Sequence, residues 1–499
     1  MRASSPSAET TPDTPTAPPT DQLTTRYHQC ELGGRTVRYS SRAGRMVLSQ
    51  ERTGDGDRAG RWEGATPSAE MFVVAYVKEG VSDPSTRPVT FSFNGGPGSS
   101  SVWLHLGLLG PRRVPLETDP APSVPPYRLI DNTFSLLEHT DLVFIDPVST
   151  GYSRAVKGEK PADFHGLDPD VRSVGELVRL WVTREGRWRS PVYLIGESYG
   201  TTRAAALAAY LQERHALYLS GLMLVSSILD FSTARFEPGN DLPPLLFLPT
   251  YAAVAHYHRR LPPDLQERGL AELLAEVEGW ALDVYARFLA LGDRAEPALV
   301  DEVASRLARY TGLDEAWLRL AGLRVEIQRF CKQLRREEGL TVGRLDARYT
   351  GRDRDGVGAT PDRDPSYSAV LGAYGATLND YVRRELGYSS DLPYEVLSGL
   401  YTSWRYDGFE NRYVNVAEKL AAAMRANPGL RVHVASGYYD LATPYWATEH
   451  TLAHMALDAE SRANVDHTVY PAGHMMYVHE PSLAELSRNL AAFMQSAKG

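Results

Sequence analysis

Two cysteines in 499 residues leave little room for disulfide or thiolate chemistry. Cys30 and Cys331 stand roughly three hundred residues apart and fit no metal-ligand spacing, so neither a disulfide framework nor a zinc site is encoded. Both read as small buried apolar side chains. Basic clusters are missing as well: the net charge is −9, and no run of Lys and Arg exceeds a few residues. That excludes the electrostatic footprint of a nucleic-acid binder or of a protein held on an anionic membrane. Long apolar runs are also lacking. A secretory signal needs a basic start and about 7 to 15 apolar residues, and a membrane-spanning helix about 20. With neither in view, the expectation is a cytoplasmic protein. No repeat at a fixed period is visible.

What is present is a chain with 43% hydrophobic residues, enough for a large core. At about 150 residues per domain, its length allows two to four structural units. Residues 1–25 are rich in Ser, Thr and Pro without an apolar run, and are expected to form a disordered tail. From Thr36 to Val77, "TVRYSS", "RMVLSQ" and "EMFVVAYV" predict antiparallel strands separated by Gly-rich turns. "PVTFSFNGGPG", "TDLVFIDPVSTG", "PVYLIGESYG" and "LSGLMLVSSILD" are strand-length apolar runs separated by helix-length segments, the rhythm of a βαβ sheet covered on both faces.

After about Glu237 long helical stretches follow one another with no strand-like runs between them, which predicts a helical insertion. Its polar passage "RYTGRDRDGVGATPDRDPS" reads as an exposed loop. Asp353, Asp355, Asp362 and Asp364 lack the spacing and terminal Glu of a calcium loop, so no metal is expected there. Strand character returns in "GLRVHVASGYYD" and "NVDHTVYPAGHMM". The organisation expected is a tail over 1–25, a core over 26–236, a helical cap insertion over 237–395, and the second part of the core over 396–499.

"GESYG" at 196–200 fits the G-x-S-x-G pattern, in which a serine occupies a strained turn between strand and helix with its hydroxyl above the sheet. "VYLI" supplies the strand and "TTRAAALAAYLQERH" the helix. A plainer reading makes Ser198 a helix cap. A serine hydroxyl needs a base, and the base needs an orienting acid. His474 lies just past a strand in a small-residue turn. His467 and His479 flank it as surface or supporting groups, and His256 and His258 belong to the insertion. Asp440 ends the preceding strand, and could alternatively cap the helix that follows. The chain order Ser198, Asp440, His474 is that of α/β-hydrolases. Two backbone N–H groups suffice to hold an oxyanion: one from Tyr199, and one from "NGGPGSSS", where Gly95 and Gly96 carry no side chain.

"FNGGPGSSSVW", "IGESYG", "SGYYD" and "AGHMM", in this order and with helices between the second and third, resemble the serine carboxypeptidase family from about Arg26 onward. The resemblance implies an α/β-hydrolase fold, a mostly parallel central sheet flanked by helices, with a helical cap. It also implies removal of single residues from peptide C-termini with no cofactor, peptides being the only partner expected. Carried onto this chain it gives the triad Ser198, Asp440 and His474, an oxyanion hole at Gly96 and Tyr199, and Asn94, Gly95 and Glu197 as binders of the substrate's terminal carboxylate. It places Trp103 and Met475 in the pocket for the last substrate residues, with a preference for apolar side chains. Two facing carboxylates cannot both ionise cheaply, so peptide binding is expected to be tightest in mild acid.

The chain departs from the family pattern at Leu108, where many members carry a second glutamate, so Glu197 is expected to lack that proton-sharing partner. It departs again at Ser92, in place of a tryptophan, and at Ser99, in place of a disulfide cysteine. An acyltransferase or an esterase using the same triad, or a silent binding protein on the same fold, stays open at this point.

Overall fold

The computed structural model describes residues 17–496. Its main sheet contains β1 (Gln22–Leu32), β2 (Arg35–Thr53), β3 (Trp62–Lys78), β4 (Val89–Phe93), β5 (Asp141–Ile145), β6 (Val192–Glu197), β7 (Gly221–Val225), β8 (Arg431–Gly437) and β9 (Val465–Tyr470). Their spatial order is β1-β2-β3-β5-β4-β6-β7-β8-β9, with Arg154–Ala155 adding a short pairing to β3. From β5 through β9 every neighbouring pair is parallel. The β1–β2–β3 end is antiparallel and joins the rest through β3 and β5. Every residue of β4, β5, β6 and β7 is buried, which is why these strands are predominantly apolar on both faces.

Helices cover both faces. On one, Phe91, Phe93, Val143 and Leu194 pack against the helices Leu167–Arg184, Tyr199–His215 and Ala417–Ala426. On the other, Val74, Tyr76, Phe144 and Ile195 pack against Pro365–Arg384 and Glu480–Ser496. This is the mostly parallel, helix-flanked α/β-hydrolase sheet expected from the motifs. A third apolar cluster belongs to the helices between Leu242 and Gln333. Phe330 stacks on Tyr251 there, at 4.2 Å between ring centroids, and Tyr439, Leu441 and Tyr445 join the cluster to the loop after β8.

Three details differ from the sequence expectations. "TVRYSS" and "RMVLSQ" are one continuous strand, β2, with no turn between them. Gly44 (φ +150°) serves close approach instead, since an added Cβ would lie 1.8 Å from the Gln22 carbonyl oxygen. Pairing with β2 starts β1 at Gln22, inside the stretch that composition assigns to a disordered tail; residues 1–16 of that stretch lie outside the described residues. Within the helical segment, Thr341–Val342 pairs with Thr350–Gly351, strands too short to leave a period in the sequence. In the polar loop that follows, Asp353 is not exposed but paired with buried Lys332.

Both cysteines are free and buried. Among the described residues no helix is long and apolar enough to cross a membrane, and no group of three or more His, Cys, Asp or Glu could hold a metal ion.

Candidate active site

Four of the parallel strands, β4, β6, β8 and β9, deliver the candidate residues at their carboxyl ends, where open α/β sheets place their ligand crevices. Immediately after β6, Ser198 takes φ 59° and ψ −129°, and the helix Tyr199–His215 starts at the next residue. A non-glycine residue at such angles is strained and persists only where its surroundings hold it. Here the Ser198 N–H donates to the Val225 carbonyl at 3.0 Å, and its carbonyl accepts from the Thr201 N–H at 2.8 Å and hydroxyl at 2.7 Å.

Asp440 lies beyond β8, fully buried. Its Oδ1 accepts from the Ala442 and Thr443 N–H groups at 2.7 and 3.0 Å, which fixes the loop. Its Oδ2 stands 2.7 Å from His474 Nδ1 and accepts the Thr443 hydroxyl at 2.7 Å. The carboxylate therefore serves both as loop staple and as imidazole partner. His474 is held through its backbone too: its N–H donates to the Leu345 carbonyl at 2.7 Å, and its carbonyl accepts the Ser226 hydroxyl at 2.6 Å. With Nδ1 engaged, Nε2 is the nitrogen left to take a proton. Burial depresses the basicity of His474, but the charges of Asp440 and Glu197 and the bond to Asp440 outweigh it, so its pKa lies above the ordinary histidine value.

The oxyanion loop is pressed against the serine turn. A Cβ on Gly95 would sit 2.4 Å from the Tyr199 nitrogen, so this contact requires glycine. Gly96 and Tyr199 line the same cavity as Ser198. Tyr199 opens its helix, where the first N–H groups have no partner within the helix. Beneath, the fully buried Arg203 donates to the Asn94 carbonyl at 2.7 Å and pairs with Asp170 at 2.6 Å. The Asn94 Oδ1 accepts from the Leu104 N–H at 3.2 Å, leaving Nδ2 as a buried donor without a bonded acceptor.

Glu197 is 3% exposed, and its Oε2 accepts the Tyr477 hydroxyl at 2.6 Å. Burial pushes its carboxyl up to about 7, against the opposing pull of the His474 charge, the Tyr477 hydroxyl and the Asn94 amide. With Leu108 at the departing position, Glu197 has no second glutamate there, as expected from the sequence. Its side-chain partner is instead a tyrosine hydroxyl from a different element, which donates to it. Leu108 itself is buried in the helical turn His105–Leu109. At the other departures, Ser99 Oγ accepts from Trp103 Nε1 at 3.1 Å, while Ser92 Oγ is buried without a partner.

These groups open onto one cavity of about 680 Å³. Asn94, Gly95, Gly96, Glu197, Ser198, Tyr199 and His474 all line it, and Asp440 stands behind His474. Trp103 and Met475 line it as well, Trp103 packing 4.9 Å from Tyr374 and 5.8 Å from Tyr367. The other weighed histidines lie elsewhere. His467 meets Ser436, His479 meets Ser482, and His256 and His258 meet backbone carbonyls of the insertion. Tyr477, Thr443 and Ser226 escaped sequence reasoning. Tyr477, three residues past His474 in "HMMY", was within reach of a search for donors around the histidine; the other two carry no motif.

Residues 64–235 match the family model described as serine carboxypeptidase. Among curated proteins, the chain is 28% identical over 176 residues to serine carboxypeptidase-like 16 of Arabidopsis thaliana, covering 33% of this chain and 38% of that protein. It is 23% identical over 215 residues to serine carboxypeptidase-like 45 of the same plant, covering 42% and 44%. The matched part thus spans well under half of each relative. Among solved structures, a prohormone-processing carboxypeptidase from Saccharomyces cerevisiae superposes with a TM-score of 0.53 at 15% identity, over 91% of each chain, a likeness of fold. The chain thus has the α/β-hydrolase fold, and its residues 64–235 are similar in sequence to the serine carboxypeptidase family.

Proposed function

We propose that this chain is a serine-type carboxypeptidase that releases single amino acids from peptide C-termini. His474 Nε2 takes the Ser198 proton as the serine oxygen attacks the last peptide carbonyl, and the N–H groups of Gly96 and Tyr199 hold the oxyanion. His474 then hands the proton to the departing amine. Water, deprotonated by the same imidazole, cleaves the acyl-enzyme, while Asp440 fixes the tautomer and stabilises the imidazolium. Each proton in these steps is handled by the chain's own side chains.

The single observation that carries the reading is Glu197. A carboxyl buried beside the nucleophile, raised to about 7 and set next to the Asn94 side chain, is suited to receive another carboxylate. An esterase has no use for it. Asn94, Gly95 and Glu197 would hold the terminal carboxylate, and Trp103 and Met475 would flank the departing residue.

Timed digestion of an unblocked peptide and of its C-terminal amide, followed by mass spectrometry, tests this. The expected result is a ladder of single C-terminal losses from the free acid and far slower loss from the amide. Internal cleavage, or equal rates on the two, would overturn it.

A further inference from the structure

Two cavity-lining arginines, Arg344 and Arg235, stand without an ion pair among the described residues, and of the two only Arg344 is partly withdrawn from water. Arg344 is half-buried, and among the described residues its guanidinium has neither an ion pair nor a hydrogen bond. Deeply buried arginines elsewhere in the fold are paired: Arg87 and Arg187 with Asp141, Arg203 with Asp170, and Arg348, four residues away, with Asp346. The carboxylates around Arg344 are already engaged. Asp364 accepts from the Leu345 N–H and from the Ser366 N–H and hydroxyl. Asp346 serves Arg348 and the Gly473 N–H, and Asp440 serves His474 and its own loop. A guanidinium partly withdrawn from water without a partner is unfavourable unless a ligand supplies the anion.

Position says which part of a ligand would reach it. The neighbouring Leu345 carbonyl accepts the His474 N–H, and Asp364 ties Leu345 to the start of the helix bearing Tyr367. Tyr367 in turn packs beside Trp103, and Trp103 against Tyr374. Arg344 therefore shares a wall with Trp103, Tyr367 and Met475. A leaving residue with its carboxylate at Asn94 and Glu197 and its amide at Ser198 would turn its side chain toward this wall. The second lining arginine, Arg235, is exposed and lies over Phe231, part of a different group of lining residues, so it is not the one addressed here.

We propose that Arg344 recognises an acidic side chain on the released residue, making peptides that end in glutamate or aspartate the favoured substrates: Trp103 and Met475 contact the methylene stem, and the guanidinium receives the tip in a charge-assisted, bidentate pair. This rests on the carboxypeptidase reading, and it replaces a purely apolar specificity by an apolar stem with an anionic end.

The test separates the two. In the Ser198→Ala protein, binding of benzyloxycarbonyl-Phe-Glu, -Phe-Gln and -Phe-Lys is measured by calorimetry, with and without Arg344→Met, Arg344→Lys or Arg344→Glu. The expected result is about tenfold or tighter binding of the Glu over the Gln peptide. That ratio should fall to near one in Arg344→Met, persist in part in Arg344→Lys, and give way to a preference for Lys in Arg344→Glu. Because each ratio is taken within one protein, a poorly folding variant is replaced by the next. Equal binding of the Glu and Gln peptides with Arg344 intact overturns the proposal, and so does a Glu preference that survives Arg344→Met. Failure of the protein carrying Ser198 to hydrolyse any of these peptides, with the Glu preference intact in binding, would sink the carboxypeptidase reading while leaving the anion site standing.

Discussion

At the floor of the cavity, Asn94, Ser198 and Asp440 each follow closely on a parallel strand and are held by several hydrogen bonds: Asn94 to Leu104 and Arg203, Ser198 to Val225 and Thr201, Asp440 to Ala442, Thr443 and His474. At the cap-side wall, Arg344, Leu345 and Tyr367 come from a loop and a helix start inside the helical segment, tied to the floor by single contacts such as Leu345 to His474. The difference separates chemistry from choice. In the proposed mechanism the reacting groups belong to positions whose backbone is fixed on both sides, and the choice of substrate falls to positions reached through long-range packing.

The floor also holds two buried carboxyl groups in different surroundings. Asp440 accepts two N–H groups and a hydroxyl beside the imidazole; Glu197 has one tyrosine hydroxyl in an otherwise burying site. Environment, and not residue type, is what differs between them, and for Glu197 burial raises the carboxyl to about 7.

The comparison can be broken first at Ser198. Ser198→Ala should lower kcat/KM on peptides by about four orders of magnitude or more, leaving peptide affinity within a few-fold; residual activity near that of the unsubstituted protein, measured with a blocked dipeptide, would remove the serine from the mechanism. Next in size is Asp440→Asn. It keeps the loop but supports the wrong tautomer, so kcat should drop by about 10⁴-fold with KM little changed.

Glu197→Gln should have a smaller, pH-dependent effect. The amide imitates the protonated acid, so KM for peptide acids should stay close to the unsubstituted value below pH 7. Above it the unsubstituted protein weakens as Glu197 ionises, and the variant does not. Stability follows the same sign. A carboxyl raised from 4.5 to about 7 in the folded state stabilises the protein fully at low pH, and that contribution is lost as pH rises toward and through 7. Thermal melts at pH 5 and pH 8 should therefore show Glu197→Gln gaining on the unsubstituted protein at the higher pH. Smallest is the wall. Tyr367→Ala removes a ring beside Trp103 and should raise KM roughly two- to tenfold, the worth of one aromatic pair.

The floor was legible in sequence because its elements are short and local: a strand, a five-residue turn and a helix are contiguous in "PVYLIGESYG", and the glycines mark where backbones meet. The fold class followed from the same rhythm of buried strands and helices. What stayed hidden depended on contacts between distant segments. Tyr477 meets Glu197 across 280 residues, and nothing in "HMMY" announces that its hydroxyl donates to that carboxyl. The β1–β2 pairing, which orders residues the composition assigned to a tail, is likewise a property of two strands together and of neither alone.

The most direct measurement is the ratio of KM for a blocked dipeptide acid to that of its C-terminal amide, followed from pH 5 to 9 in the unsubstituted protein. The expected result is a clear advantage for the acid below pH 7 that shrinks as pH rises through the titration of Glu197. A ratio that favours the amide, or that stays flat across this range, would contradict a neutral carboxyl beside Ser198 as the group that recognises the end of the chain.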